Sequence, residues 1–195
     1  MRKLFYPLII AVIFVLGSCS KSSDSQPART KPMLGTKWTY WYKKFDATGV
    51  LSKAFRVIYQ ISAEQTVNNE TWFTVTDSTQ SAIFVLTQRA DGLYHLVNST
   101  PYLLCKYPAN VNDTYNSYNN GDDELVTVKE TGITVNVPKG DIVSTRYEGE
   151  QGGVLKDILW YNPDVWLVKK ETYVTNIVTQ ANHIDTRIEL IDVQY

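Results

Sequence analysis

The side chains able to do chemistry are few in this chain of 195 residues. There are two cysteines, Cys19 and Cys105, two histidines, His95 and His183, and 20 acidic residues spread between them. A metal centre would need His, Cys, Asp or Glu clustered at ligand spacing. His95 and His183 lie far apart and have no local ligand partner. On a strand His183 and Asp185 share a face, which reads as a solvated face rather than a ligand pair. The polar stretch from Asn116 to Asp123 does not make an EF-hand loop. With Gly121 in sixth place, positions 1, 3, 5 and 12 hold Asn116, Tyr118, Asn120 and Thr127 where acids are required. Asn120-Gly121 fits a type I′ hairpin turn instead. Asp122 and Asp123 are adjacent, so on a strand they point to opposite faces and cannot share a substrate. No Gly-rich phosphate cradle or Gly-x-Ser-x-Gly elbow occurs. Cys105, in Leu103-Leu104-Cys105, reads as a small buried apolar residue. These residues predict no enzyme, no metal and no cofactor. A catalytic reading would require Glu148, Glu150 or Asp157 to gather in a cleft beside His95.

The exception is Cys19, because of what precedes it. The chain opens Met1-Arg2-Lys3, continues with an apolar stretch over residues 4–16, and reaches Leu16-Gly17-Ser18-Cys19. A basic start, a short apolar core and small residues before a cut are the layout of a secretory signal. The apolar stretch of 13 residues is short of the roughly 20 needed to span a bilayer. Leu16-Gly17-Ser18-Cys19 looks like a bacterial lipobox, in which the Cys sulfur takes a diacylglycerol and becomes the new first residue. The chemistry needs a nucleophile there, and small neighbours let the peptidase approach. Residues 1–18 are therefore expected to be a removed signal, and 19–32 a lipid anchor and tether. Ser20 to Pro32 holds no large apolar side chain, so it cannot bury enough surface to fold. Stretched, it reaches roughly 45 Å. In lipoproteins of this kind an Asp directly after the Cys can hold the protein at the inner membrane. Ser20 stands there, which favours the outer membrane. Only Asp24 lies near the Cys, so the periplasmic face is expected rather than the cell surface.

The body that follows must position whatever site exists. Without Arg2 and Lys3 the chain carries 17 basic residues against 20 acidic ones, a net of −3, which argues against a nucleic-acid partner. With Cys19 acylated, Cys105 has no partner for an intrachain disulfide. Residues 33–195 are expected to form one domain, all-β and antiparallel, with little helix. Runs rich in Val, Ile, Thr, Tyr, Phe and Trp cover 38–44, 54–62, 70–76, 81–88, 93–97, 124–129, 132–137, 142–148, 154–160, 165–179 (broken once) and 183–193. Turn residues separate them, among them Asp46 to Gly49, Asn68-Asn69, Asp91-Gly92 and Gly152-Gly153. One short helix could lie at 63–66 or within 101–115. In the last run Ile184, Thr186, Ile188 and Leu190 fall on one face, and His183, Asp185, Arg187 and Glu189 on the other. That period of two marks a sheet packed on one side. So many strands must split into two sheets or curl, and a strongly curved or barrel-like meander is expected.

Several short motifs, taken in order, resemble a known group. They are Gly35-Thr36-Lys37-Trp38-Thr39-Tyr40, then Leu104-Cys105-Lys106-Tyr107-Pro108 with Asn112-Asp113-Thr114-Tyr115, then Val135 to Asp141, then Trp160-Tyr161-Asn162-Pro163-Asp164-Val165-Trp166 running on to Glu171, and Glu189-Leu190-Ile191. Over residues 35 to 191 they resemble the uncharacterised envelope lipoproteins of the TapB-like type. The resemblance implies a curved antiparallel sheet, distantly like the lipoprotein-localisation carriers, and no established activity. The chain departs from the pattern at Asn112, Asp164 and Trp166, where Gly is usual, and at Tyr115, where Trp is usual. The departure near 164 would place Trp166 on an exposed rim.

The remaining oddity is aromatic content: 13 Tyr, 5 Trp and 6 Phe. Strands favour aromatics and β cores use them as filler. A stacking platform for sugars or a pocket for an acyl chain would use the same residues. Trp41, Trp72, Tyr94, Tyr102 and Trp166 are the candidate ligand-contacting aromatics, being near turns or out of phase with the apparent core. Two functions fit. One is a non-catalytic binding or structural module, with an envelope protein, glycan or lipid as partner and the membrane held through the anchor. The other is a carrier of a lipid or other apolar ligand on the sheet's concave face, which would need a continuous dry cavity of several hundred cubic ångströms.

Overall fold

A computed structural model describes residues 32–119, 121–176, 179 and 181–195. The signal, Cys19, the tether up to residue 31, Asn120 of the expected turn and part of the expected break before 179 lie outside the described residues. Twelve strands form: β1 (Lys37–Phe45), β2 (Leu51–Val67), β3 (Glu70–Thr76), β4 (Ala82–Arg89), β5 (Gly92–Val97), β6 (Thr100–Lys106), β7 (Thr114–Asn119), β8 (Asp122–Val137), β9 (Gly140–Gln151), β10 (Val154–Asn162), β11 (Trp166–Thr175) and β12 (Asn182–Gln194). Every pairing is antiparallel, in the order β6-β5-β4-β3-β2-β1-β12-β11-β10-β9-β8-β7. The chain thus meanders through two halves, β1–β6 and β7–β12, which join where β1 pairs β12. The curved, barrel-like all-β sheet expected from sequence is what forms.

No helix occurs among the described residues. Residues 63–66 continue β2, and the 101–115 region holds β6 and the start of β7. Pro101 hides β6 from a propensity reading, yet it sits on an edge strand, where a missing N–H is tolerated. The two runs expected at 124–129 and 132–137 are one strand. Gly132, at φ +68°, and register shifts on both sides of Glu130 absorb the irregularity as a bulge. The Asn68-Asn69 turn has both residues at positive φ, as a type I′ hairpin requires, and Asn98-Ser99 does the same between β5 and β6.

The two sheet edges, β6 and β7, lie side by side, but no ladder joins them among the described residues. Side chains bridge this seam. The Tyr102 and Tyr118 rings stack at 5.0 Å, the Tyr115 hydroxyl donates to the Leu104 carbonyl at 2.9 Å, and Lys106 pairs with Asp113 at 2.9 Å. From β9 the Tyr147 hydroxyl donates to the Lys106 carbonyl. Farther round, Tyr161 on β10 donates to Gln88 on β4 at 2.8 Å, straight across the lumen. Trp38 donates to the Val165 carbonyl at 2.8 Å and Tyr40 to the Leu167 carbonyl at 3.0 Å. The rings therefore fill the interior, and their polar tips tie strand to strand.

Trp160 takes the other face. It is 9% exposed, because its cross-strand neighbours Arg146 and Lys169 lay their cations over the ring at 6.0 and 4.5 Å. Trp160→Ala should cost about 3–5 kcal/mol; an unchanged melting curve would show that the ring contributes nothing. Tyr147→Phe leaves the ring in place and strands the Lys106 carbonyl, so it should cost about 1–2 kcal/mol and lower Tm by about 3–6 °C. Calorimetry on the two proteins checks it.

Candidate functional site

Two features stand out on the inner surface. One is an apolar recess of about 70 Å³ beneath Trp38 and Tyr40, walled by Tyr59, Phe84, Leu86 and Leu159, with Lys170 as its charged member. The other is a set of polar groups on the same inner surface. Glu124 lies in phase with the buried Val126 and Val128 of β8, so it points inward with them. Asp157 is buried on β10. The register sets Gly149 opposite both Val126 and Asp157, and the two carboxylates close over that glycine. A Cβ there would lie 2.3 Å from Glu124 Oε1 and 2.8 Å from Asp157 Oδ1, so only glycine fits. Asn119 Nδ2 donates to Asp157 Oδ2 at 2.7 Å and to Glu124 Oε1 at 3.3 Å. Lys170 pairs with Asp157 at 2.7 Å.

Two acids thus share one internal cation. Burial, and then the neighbouring Asp157, raise the Glu124 carboxyl to about 7. Near neutrality Glu124 can therefore hold a proton and donate it in a hydrogen bond. Burial and the Lys170 charge lower the His95 imidazole, and burial pushes the Cys105 thiol up. Cys105 is fully buried in the apolar wall, as a small apolar residue would be. Beside Glu124, its cross-strand neighbour Ser117 is 2% exposed and its Oγ has no hydrogen-bond partner.

Of the acids that a catalytic reading would gather, Asp157 alone turns inward to this cluster. Glu148 is held by Arg146 and Lys129. Glu124 and Lys170 escaped the sequence reading, though the signal was there: each is a charged residue in phase with apolar neighbours that face the core.

The five candidate aromatics do not form one platform. Trp72 and Tyr94 lie on either side of the Arg89 guanidinium, 5.8 and 4.1 Å from it, while Glu70 takes that guanidinium bidentately at 2.7 and 2.8 Å. Trp41 lies under Arg56 at 5.4 Å, and Tyr102 belongs to the seam. Trp166 is not on an exposed rim. It is 3% exposed, stacked on Trp38 at 5.4 Å and tilted against Phe73 at 6.3 Å. The reason is its backbone: at φ +65° it keeps the left-handed geometry natural to glycine, and this turns the indole inward. A bulky residue held there costs about 1–3 kcal/mol. Its buried Nε1 also has no acceptor.

These features define a curled twelve-stranded meander whose lumen is filled by aromatic side chains. No family model matches the chain, and no curated protein does. Two crystal structures are similar to it. One is of a protein described as exported, with a YmcC-like fold, from Bacteroides fragilis NCTC 9343 (TM-score 0.48, 15% identity, 85% of this chain and 98% of that one). The other is of a protein described as a lipoprotein, from Parabacteroides distasonis ATCC 8503 (TM-score 0.46, 13% identity, 84% of this chain and 97% of that one).

Glu124 gives the fold a pH dependence of fixed sign. Between about 4.5 and 7 the folded state keeps a proton that the unfolded chain has lost, so stability falls as pH rises through that window. His95 acts oppositely, since its lowered folded value costs stability as pH falls below about 6.5. Glu124→Gln removes the first effect and keeps the second. Between pH 5 and 8 the wild type should lose about 2 kcal/mol relative to the variant. A difference in Tm between the two proteins that stays constant across that range would refute it.

Proposed function

We propose that the chain is a lipoprotein acylated at Cys19 and anchored in the outer membrane, facing the periplasm, and that its β domain is a non-catalytic binding or structural module. The observation that carries this reading is the run Leu16-Gly17-Ser18-Cys19, set behind Arg2-Lys3 and an apolar core too short to span. Ser20 behind the Cys supports the outer membrane. The resemblance over residues 35–191 to uncharacterised envelope lipoproteins supports the same class. A flexible tether of Ser20 to Pro32 suits a body that needs to stand clear of headgroups.

The interior favours a module over a carrier. The recesses, of about 70, 160 and 260 Å³, are each below the roughly 300–1,000 Å³ of sites that enclose a ligand of drug size. The space an acyl chain would need is taken by Trp38, Tyr40, Tyr161 and Trp166. The inner charges are also spent on one another, with Lys170 committed to Asp157.

Labelled palmitate should enter the wild-type protein in a bacterial host and be absent from Cys19→Ala, which should leave the membrane fraction. Label on the variant, or a wild type recovered soluble with its initiating Met, would refute the anchor.

A further inference from the structure

Antiparallel pairing of neighbouring strands gives the curled sheet two unlike ends. The start of β1 and the close of β12 meet at one of them, together with the β2–β3, β4–β5, β6–β7, β8–β9 and β10–β11 connections. The tether joins the domain at this end. Pro32 is fully buried and shares a recess with Phe73 and Trp166. Met33 and Leu34 follow it on the outside, 53% and 54% exposed. Other large apolar side chains stand around the same rim. Tyr195, 54% exposed, closes β12 and donates its hydroxyl to the Asp164 carbonyl, in the β10–β11 turn, at 2.9 Å. Val143 of β9 is 58% exposed, and its carbonyl accepts from Asn162, which leads into that turn. Val111, 50% exposed, lies in the β6–β7 connection.

Scattered singly, such residues carry no message, whereas several set around one rim mark a contact. The chain itself names what the rim meets, because its lipid anchor leaves from there. Ser20 to Pro32, as a relaxed coil, averages roughly 20 Å from end to end. The domain is thus free to stand clear of the membrane, yet its tether end is held at high effective concentration beside the headgroups, where a weak contact suffices. Charge agrees. At this end Glu70, Asp113 and Asp192 are paired with Arg89, Lys106 and Lys139. Lys37, exposed and in no ion pair among the described residues, adds a cation for lipid phosphates. The far end also exposes apolar side chains, at Val50, Leu51, Val154 and Val174. Its turns, however, carry carboxylates at Asp46, Asp77 and Asp122-Asp123, none in an ion pair among the described residues.

We infer that the domain docks reversibly on the lipid surface that holds its anchor, tether end down, with Met33, Leu34, Val111, Val143 and Tyr195 dipping into the headgroup region. The far end then points away from the membrane. The inference rests on the acylation of Cys19 and names the surface that the anchored domain lies against. The mature acylated protein, reconstituted in vesicles of phosphatidylethanolamine and phosphatidylglycerol, tests it. Leu34→Cys and Val143→Cys at the tether end, and Val50→Cys and Val174→Cys at the far end, each take an environment-sensitive fluorophore. Cys105, fully buried, does not compete for the label. Labels at 34 and 143 should shift to the blue and lose their quenching by iodide, while labels at 50 and 174 stay quenched. Adding Met33→Asp and Leu34→Asp to the Val143→Cys protein should bring the quenching at 143 back. Four labels that respond alike, protection of the far pair alone, or protection at 143 that the aspartates leave unchanged overturns the inference. A chain that takes up no palmitate fails the anchor reading and this inference with it. An acylated, vesicle-bound chain whose labels at 34 and 143 stay quenched fails the docking alone.

Discussion

The structure depends on how a curl of twelve strands fills its own lumen. Small barrels of about eight strands are filled by ordinary side chains, whereas wider ones tend to leave a cavity or channel. This sheet is wide, and aromatic side chains such as Trp38, Tyr40, Tyr161 and Trp166 fill much of its interior. Phe alone would have filled the volume. Tyr and Trp carry a polar tip, and a buried tip must be satisfied. Tyr40, Tyr115, Tyr147 and Trp38 satisfy theirs on backbone carbonyls of other strands, and Tyr161 on Gln88 of the far wall. The need to pair each hydroxyl makes the filler into cross-bracing. It matters most at β6 and β7, whose edges no ladder joins among the described residues. There Tyr102, Tyr115, Tyr118 and Tyr147 do the work of the missing backbone bonds.

The same constraint shapes the inner electrostatics. Where Gly149 replaces a side chain on β9, the filling stops and Glu124 and Asp157 occupy the space. Lys170 compensates one of them, and the other meets desolvation by holding its proton near neutrality. The lumen therefore holds one acid–base pair and one acid that keeps its proton below a pH of about 7. An arrangement of that kind stabilises itself and leaves little field for an incoming ion.

Much of the fold was legible in the sequence because it rests on period two. Ile188 and Leu190 of β12 and the turn at Asn68-Asn69 are local statements, and they hold, whereas a register shift between Ile184 and Thr186 puts Ile184 out of phase with them, and Gly92 opens β5 instead of closing the turn before it. β6 was hidden because Pro101 counts against a strand unless the strand is an edge, and edge position is a property of the whole sheet. β8 was split at Thr131-Gly132 because a bulge and a turn look alike until the partner strand is known. The inner acids were missed for a related reason. Glu124 and Asp157 belong to different hairpins, and only the register through Gly149 brings them together. The candidate aromatics fared unevenly. Trp72 and Tyr94 meet through Arg89, whose position on β4 nothing in their own spacing reveals.

Trp166 is where the bracing scheme breaks its own rule. A Gly at that position would relieve the φ of +65°, and a Phe would fill the same space with no N–H to satisfy. The chain has neither. It holds an indole in a strained backbone, stacks it on Trp38, and leaves the nitrogen without an acceptor at the boundary between an apolar recess and a polar one. Packing explains the ring and does not explain the nitrogen. Local conflicts of this kind tend to sit where a structure serves something other than its own stability. Trp72 carries a second buried indole nitrogen with no hydrogen-bond partner, so the bracing that the tyrosines complete is left open at both tryptophans.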